Sequence, residues 1–516
     1  MSASRLRLTR LQGSLQARCQ QWLAQHPFDV DTQVADVVAR RQLPFAKRSD
    51  TRGWRRALRS VTSTMECRDV DDDKVRRQLC ATDAAAIALG RDRRGQASPL
   101  PLGCHSLVVW GRQSGCGRLL HGRSFDGFLD DDHDVHLVLH QQTGKLSHLS
   151  VHHRGAFLPG VTAVNEAGVV VTAHPVATRA VDVTGEPGVL VFDRVLQHAR
   201  GVASAVDVLK RSRLASGWVV SLSSNTSADP VIVEVDAKGV QPLRSKRTSF
   251  LAAAQGFRTR KQADAYAVSD LQREREWSKL SLLNRLARRQ PPDAAALLAS
   301  LQDARDAYDP SRRRPWGNTL VDVTHSDSVV FDVDDDALHV ACGPLPRHSQ
   351  RARVSLSAAW AGDLDAEVEE RPLSSTLEQT RLVREALLFA QEGQLDGALS
   401  WLPDGDDVDG LVHLLRAQLL LLADRPDDVV AAAEAALSAS LTSPYREASA
   451  HVVRGHAHDL RGDRAQAVAA YAAAEHELED LHSSLLRRAR RGRRLAFSQR
   501  DRQSLRLVAE VANVVV

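Results

Sequence analysis

The sequence is short of the features that mark the most readily recognised classes of protein. Six cysteines (Cys19, Cys67, Cys80, Cys104, Cys116 and Cys342) are scattered over 516 residues without a CxxC pair, which argues against a structural zinc site and a disulfide framework. No run of 18 apolar residues occurs, so no membrane-spanning helix is expected. Met1 to Phe28 lacks an apolar core of signal-peptide length, because Arg, Gln and Ser interrupt each hydrophobic run, and a reduced, cytoplasmic chain is the expectation. Neither G-x-G-x-x-G nor a Walker sequence is present, which leaves nucleotide binding without support, and no cofactor is expected. Charge of one sign is also lacking: the net value of +4 is too small on this length to argue for nucleic acid or a membrane surface. Lysine is absent after Lys279 although arginine is common, a skew that reads as coding bias.

What remains is an ordinary globular mixture, 43% hydrophobic and 26% charged, long enough for two or three domains. Three regions differ in pattern. In residues 1–103, Arg5 to Leu23 and Leu79 to Leu89 carry apolar residues at helical spacing, and Gln96-Ala-Ser-Pro-Leu-Pro-Leu-Gly103 favours an extended approach through its prolines. Residues 104–372 hold short β-rich runs: Leu107–Trp110, Val135–Leu139, Val161–Val164, Val169–Thr172, Val189–Phe192, Trp218–Leu222, Val231–Val235, Val329–Val333 and Leu338–Ala341. Helical patterns at Arg194–Ala205 and Asp264–Arg288 lie between them, and grouped strands and helices indicate an α+β domain. Residues 373–516 are almost wholly helical.

The chemistry concentrates at Gly103-Cys104. Cys104 opens an apolar strand, and 18 residues later begins Gly122-Arg123-Ser124-Phe125-Asp126-Gly127. A thiol becomes a strong nucleophile when it loses its proton to a base or beside a cation. At a chain start, the α-amine has an ordinary pKa of about 7.7–8.0 and can take that proton near neutral pH. Gly103-Cys104 must then be cut first, by attack of the same thiol on the Gly103 carbonyl, and a glycine before the cut permits strained geometry.

Together with Pro159-Gly160-Val161-Thr162-Ala163-Val164-Asn165-Glu166-Ala167-Gly168 and the pair Asp327–Asp332 and Leu338–Gly343, these motifs resemble the isopenicillin N acyltransferase family of cysteine N-terminal-nucleophile (Ntn) hydrolases, over about residues 100–350. The resemblance implies a four-layer αββα sandwich and autocatalytic cleavage between Gly103 and Cys104. It implies hydrolysis or acyl transfer on a small-molecule amide or thioester, with acyl-CoA among the candidate donors. By position it makes Cys104 the nucleophile, Arg123 the group that orients the thiolate, and Asp126 the anchor of the α-amine. It also makes Asn165, at the start of the turn into the next inner strand, a catalytic position, and has the backbone near Ala173-His174 face the oxyanion. Three positions depart from the family pattern: His105 follows the nucleophile in place of Thr or Ser, His174 and Pro175 stand where an Asn is common, and Gln255 is the nearest substitute for a missing amide.

In the C-terminal region Ala386, Ala417 and Gly455 align, followed twelve residues later by Ala398, Val429 and Ala467, and sixteen later by Leu402, Ala433 and Tyr471. Their intervals bracket the period of the tetratricopeptide repeat, which this stretch resembles in degenerate form. Such an array implies bracing, self-association or a protein partner. The histidines near Asp130–Asp134 (His133, His136, His140, His148, His152, His153) meet no established metal-ligand spacing, so no metal is expected. His136 and His140 alternate with Leu137 and Leu139 as in a half-exposed strand. The run from Arg487 to Arg494 reads as a solvated helical face. Three functions stay open on sequence alone: a self-processing cysteine amidohydrolase or acyltransferase, a decayed Ntn-fold scaffold carrying a protein-binding helical surface, and, behind these two, a metal-dependent hydrolase using the histidine cluster.

Overall fold

The computed structural model describes residues 6–26, 59–90 except 68, 103–127, 134–152, 156–259 except 177 and 246, 270–479 except 290, 346, 348, 406 and 407, and 484–505 except 504. Residues 96–102, 130–133, His153 and 264–269, which enter the sequence reading, lie outside them.

Two sheets dominate a mixed α+β architecture. In spatial order, the first comprises β1 (Leu6–Gln12), β4 (Val135–Gln141), β5 (His148–His152), β6 (Thr162–Asn165), β7 (Val169–Val176), β8 (Gly217–Ser224), β9 (Ser227–Asp236) and β10 (Gly239–Arg244). The second runs β11 (Phe250–Ala254), β2 (His105–Val109), β3 (Leu120–Asp126), β12 (His325–Asp332), β13 (Ala337–Cys342), β14 (Gln350–Ser355) and β15 (Ala366–Glu370). Alternation along the inner strands sends their side chains to two different cores. On one side of the first sheet, Val171, Ala173, Val220 and Val233 pack with α1 (Leu15–Gln25), α2 (Asp73–Gly90), α3 (Gly188–His198) and α4 (Val202–Arg211), through Trp22, Leu79, Val195 and Val206. Its other side meets the second sheet, with Leu137, Leu149 and Val170 against Val329, Phe331 and Leu338. The far side of the second sheet carries α5 (Asp270–Arg288) and α6 (Ala294–Ser300), whose Leu283 and Leu297, with Leu301 just past α6, share a core with Leu107, Leu120 and Val330. Full burial of each such aliphatic or aromatic side chain contributes roughly 1.5–3 kcal/mol.

Several elements differ from the sequence reading. Leu6–Gln12 is a strand and not the start of a helix, because it pairs in parallel with β4 from Leu6 opposite Val135 to Gln12 opposite Gln141. Gly13, at φ +96°, turns the chain, and the Ser14 side chain caps α1 by accepting from the Ala17 N–H. Val189–Phe192 is helix, not strand. Every residue from Gly188 to Phe192 is buried, so the run has no polar face from which a period could be read. The helical stretch Arg194–Ala205 is broken between His198 and Val202 into α3 and α4. His136 and His140 are buried, not half-exposed, because α1 covers their face of the sheet. They join His148 and His152 around Trp22 and Phe157, beneath a buried Arg18–Asp193 pair at 2.9 Å. Among the described residues no three His, Cys, Asp or Glu side chains are grouped to hold a metal, and no helix is long and apolar enough to cross a membrane.

After β14 come α7 (Leu356–Ala361), the edge strand β15, and a succession of helices: α8 (Ser375–Gln391), α9 (Leu395–Trp401), α10 (Gly410–Leu422), α11 (Pro426–Ser438), α12 (Pro444–Leu460), α13 (Arg464–Glu477), α14 (Ser484–Arg494) and α15 (Gln499–Gln503). Ala386, Ala417 and Gly455 lie on α8, α10 and α12, and Ala398, Val429 and Ala467 on α9, α11 and α13, all buried. A Cβ on Gly455 would come within 2.6 Å of the Tyr471 ring, so the small residue lets α12 and α13 approach. The helices join the sheet region through Trp316 and Val323 in a shared core with Val383, Leu387 and Leu411. Arg314 reinforces that junction by donating to Asp409 at 2.9 Å and to the Ser440 carbonyl at 2.7 Å.

Candidate active site

Cys104 stands immediately before β2, fully buried. β2 pairs antiparallel with β3, Ser106 opposite Arg123 and His105 opposite Ser124. The pleat therefore divides the local side chains between two faces. His121 and Arg123 point into the gap between the sheets, as does Ser106 of β2, while Ser124 and Asp126 point toward the layer of α5.

Arg123 crosses the gap. Its Nη1 donates to the Val161 carbonyl at 2.9 Å and its Nη2 to the Ala173 carbonyl at 3.0 Å, and Nη2 also lies 3.4 Å from Cys104 Sγ. A fixed guanidinium fork suits this task, holding one charge at the sulfur while two carbonyls lock its plane. Burial pushes the Cys104 thiol above its ordinary pKa, and the Arg123 charge pulls in the opposite direction. A polar layer surrounds the pair. Ser106 Oγ meets His174 Nε2 at 3.1 Å and Ser221 Oγ at 2.8 Å, and His121 meets Ser223 and Thr172 at 2.7 and 2.9 Å. Burial holds His174 and His121 well below the ordinary histidine value, so both are neutral imidazoles at pH 7.

On the opposite face Asp126 is the hub. Lys279 Nζ pairs with its Oδ2, Arg275 Nη2 lies 3.3 Å from the same oxygen, and His325 Nδ1 lies 3.4 Å from Oδ1. Arg275 also holds Asp322 at 2.6 Å. Burial opposes ionisation of Asp126, but the charges of Lys279 and Arg275 and the His325 contact outweigh it and hold the carboxyl well below the usual carboxylate range. Arg275 and Lys279 share a helix face through their i, i+4 spacing on α5. Lys279 Nζ also donates to the Gly103 carbonyl at 2.6 Å, and Gly103 N–H donates to the Asp126 carbonyl at 3.2 Å. The cluster thus holds Arg123, Arg275 and Lys279 against Asp126 and Asp322, all buried.

The structure therefore brings Gly103, Cys104, Arg123 and Asp126 together and places His174 on the same inter-sheet face. Gly103 is not at positive φ; its requirement is space, since a Cβ there would lie 2.7 Å from Arg275 Cζ and 2.8 Å from Asp126 Oδ2. Asn165 is not brought to the sulfur. Its Nδ2 donates to the Leu196 and Ala199 carbonyls, both at 2.8 Å, and its Oδ1 accepts from the Ala167 and Val169 N–H groups at 3.1 and 2.9 Å. Those bonds clamp the β6–β7 turn to the end of α3 and leave no donor for an oxyanion. Gln255 follows Ala254, which pairs with His105, so the antiparallel register carries it alongside Cys104. Its Nε2 donates to the Pro175 carbonyl at 2.6 Å. Two clefts lie elsewhere among the described residues: one of about 400 Å³ near Ser14, Gln16 and Cys67, another of about 320 Å³ beside Asn165, Asn225 and Trp360.

Sequence reasoning missed Lys279, Arg275, Asp322 and His325, which reach Asp126 from elements 149 to 199 residues away, or through Arg275 in the case of Asp322. One signal was available: Lys279 is the last lysine of an arginine-rich chain.

No family model matches the chain, and no curated protein matches it. Among solved structures, the N-acylethanolamine-hydrolyzing acid amidase (NAAA) ortholog of Caenorhabditis elegans is similar at 15% identity and a TM-score of 0.30, over 45% of this chain and 96% of that one. A superposition that weak carries no weight for fold or activity.

Proposed function

We propose that this chain is a self-processing cysteine Ntn amidohydrolase or acyltransferase, with the two sheets and their flanking helices as its αββα sandwich. The observation that carries the reading is the buried contact of Cys104 Sγ with Arg123 Nη2, one peptide bond from a Gly103 carbonyl that the Asp126–Lys279 pair holds. Arg123 favours the thiolate by its charge. Scission before Cys104 frees an α-amine beside Asp126, whose carboxylate can hold that amine in place as the base that takes and returns the thiol proton. The mature site then attacks an amide or thioester carbonyl, forms an acyl-Cys104 intermediate, and passes the acyl group to water or an amine.

Residues 1–103 stay with the rest after the cut in this reading, because β1 pairs with β4 and α2 shares the first sheet's core. The helical region is read as a degenerate tetratricopeptide-like array that braces the site. Glu274, next to Arg275 on α5, accepts from Ser443 at the start of α12 and from Tyr308 at 3.1 Å. Arg384 of α8 donates to the Val323 carbonyl at 3.1 Å, just before β12 and His325.

The test is acyl trapping. Purified mature protein is incubated with N-acyl p-nitroanilides and acyl thioesters of several chain lengths, and peptides are mapped by mass spectrometry. An acyl adduct on Cys104, absent from Cys104→Ala, is expected. A chain that takes no acyl group from any of them and stays intact fits the decayed scaffold instead.

A further inference from the structure

We infer that Lys279 is a catalytic residue of the self-processing step, supplying the positive charge that receives the oxyanion formed on the Gly103 carbonyl. The inference rests on the self-processing reading and adds a group that the family resemblance does not contain.

Lys279 is buried on α5, and among the described residues its ammonium donates to the Asp126 carboxylate and to the Gly103 carbonyl oxygen, the latter at 2.6 Å. That oxygen belongs to the bond that must break. A buried ammonium costs several kcal/mol of lost hydration unless it is paired, and pairing with Asp126 alone would meet that requirement. Its further contact is aimed at the carbonyl where negative charge develops during attack, and a preorganised donor there acts most strongly in a dry interior. Neighbouring groups fix the geometry. Arg275 lies between Asp126 and Asp322, and Gly103 has no Cβ because one would strike Arg275 and Asp126. Lys279 donates to the Gly103 carbonyl within this same cluster.

Cys104 Sγ, having given up its proton, attacks the Gly103 carbonyl carbon. A C–S bond forms and the π pair moves to the oxygen, where the Lys279 ammonium holds it. The oxyanion collapses, the C–N bond to Cys104 breaks, and the departing nitrogen takes the proton the thiol released. The product is a thioester of Gly103 on Sγ and a free α-amine. Water adds to the thioester, the C–S bond breaks, one proton of the water goes to the sulfur and the other to the new α-amine, and a Gly103 carboxylate and the Cys104 thiol remain. Lys279 stays charged throughout, and its second partner, Asp126, becomes available to the new amine.

The experiment follows disappearance of the 516-residue precursor by intact mass in wild type, Lys279→Met and Lys279→Arg, with thermal melts to establish folding. Folded Lys279→Met is expected to lose processing by about 100-fold or more, the usual cost of one oxyanion donor, while Lys279→Arg keeps the charge and is processed faster than Lys279→Met. Folded Lys279→Met processed within about threefold of wild type overturns the assignment. Should Lys279→Met not fold, Lys279→Arg decides: folded and processed at above about a hundredth of the wild-type rate, it supports the role of charge, and below that it contradicts it. An intact wild type defeats the self-processing reading itself, whereas equal processing of wild type and Lys279→Met defeats only the role given to Lys279.

Discussion

Replacing Arg123 with methionine separates the two tasks that one side chain performs. The guanidinium sits 3.4 Å from Cys104 Sγ and donates to two buried carbonyls, those of Val161 and Ala173. For unit charges about 4 Å apart at an effective dielectric near 20, the attraction is about 4 kcal/mol. Losing it from the reactive thiolate slows attack about a thousandfold, since each 1.36 kcal/mol or so is a factor of ten. Stability falls separately, by about 1–3 kcal/mol for each carbonyl left without a donor inside the protein. Arg123→Lys keeps the charge but not the planar fork, so its melting temperature is expected to fall with that of Arg123→Met while its processing stays closer to wild type. Precursor decay followed by intact mass, with a thermal melt on each protein, reads both effects. Folded Arg123→Met processed within about threefold of wild type would refute the electrostatic role assigned to Arg123.

Other expectations follow from the same geometry. Asn165→Ala removes the clamp between the β6–β7 turn and α3, which should cost about 2–4 kcal/mol at roughly 1 kcal/mol per bond; it should leave processing of the folded protein near the wild-type rate. Lost processing with an unchanged melting temperature would return Asn165 to the site. Acid should destabilise the fold, because burial holds His105, His121 and His456 at about 3, against 6.5 when exposed. These groups bind protons in the unfolded chain first, so their contribution is complete above pH 6.5 and is lost as pH falls toward 3. At pH 5.5 each costs about 1.4 kcal/mol, or about 4 kcal/mol for the three. A urea midpoint no lower at pH 5.5 than at pH 7.5 would contradict that burial.

Much of the site could be read from the sequence because it is local. The Gly103-Cys104 pair leads directly into β2, and Arg123 and Asp126 lie on β3, which pairs with β2, so spacing alone puts them together. The strands whose residues alternate between two cores were legible for the same reason. What could not be read has two physical causes. Gly188–Phe192 is buried on every side, so nothing in its pattern separates helix from strand. Leu6–Gln12 owes its conformation to β4, more than 120 residues away, and a pairing partner is not written in the segment itself. The charges around Asp126 belong to the second class: Arg275, Lys279 and His325 are ordinary residues on their own elements and acquire meaning only when α5 and β12 close on β3. Asn165 shows the converse. A motif position that points to catalysis in a related pattern is here fully occupied in holding a turn.

The most direct test of self-processing at Cys104 is N-terminal sequencing of the purified protein alongside its Cys104→Ala variant. Wild type should yield a second chain beginning Cys104-His105-Ser106, and the variant none. A wild-type preparation with no chain starting at Cys104 would contradict the account.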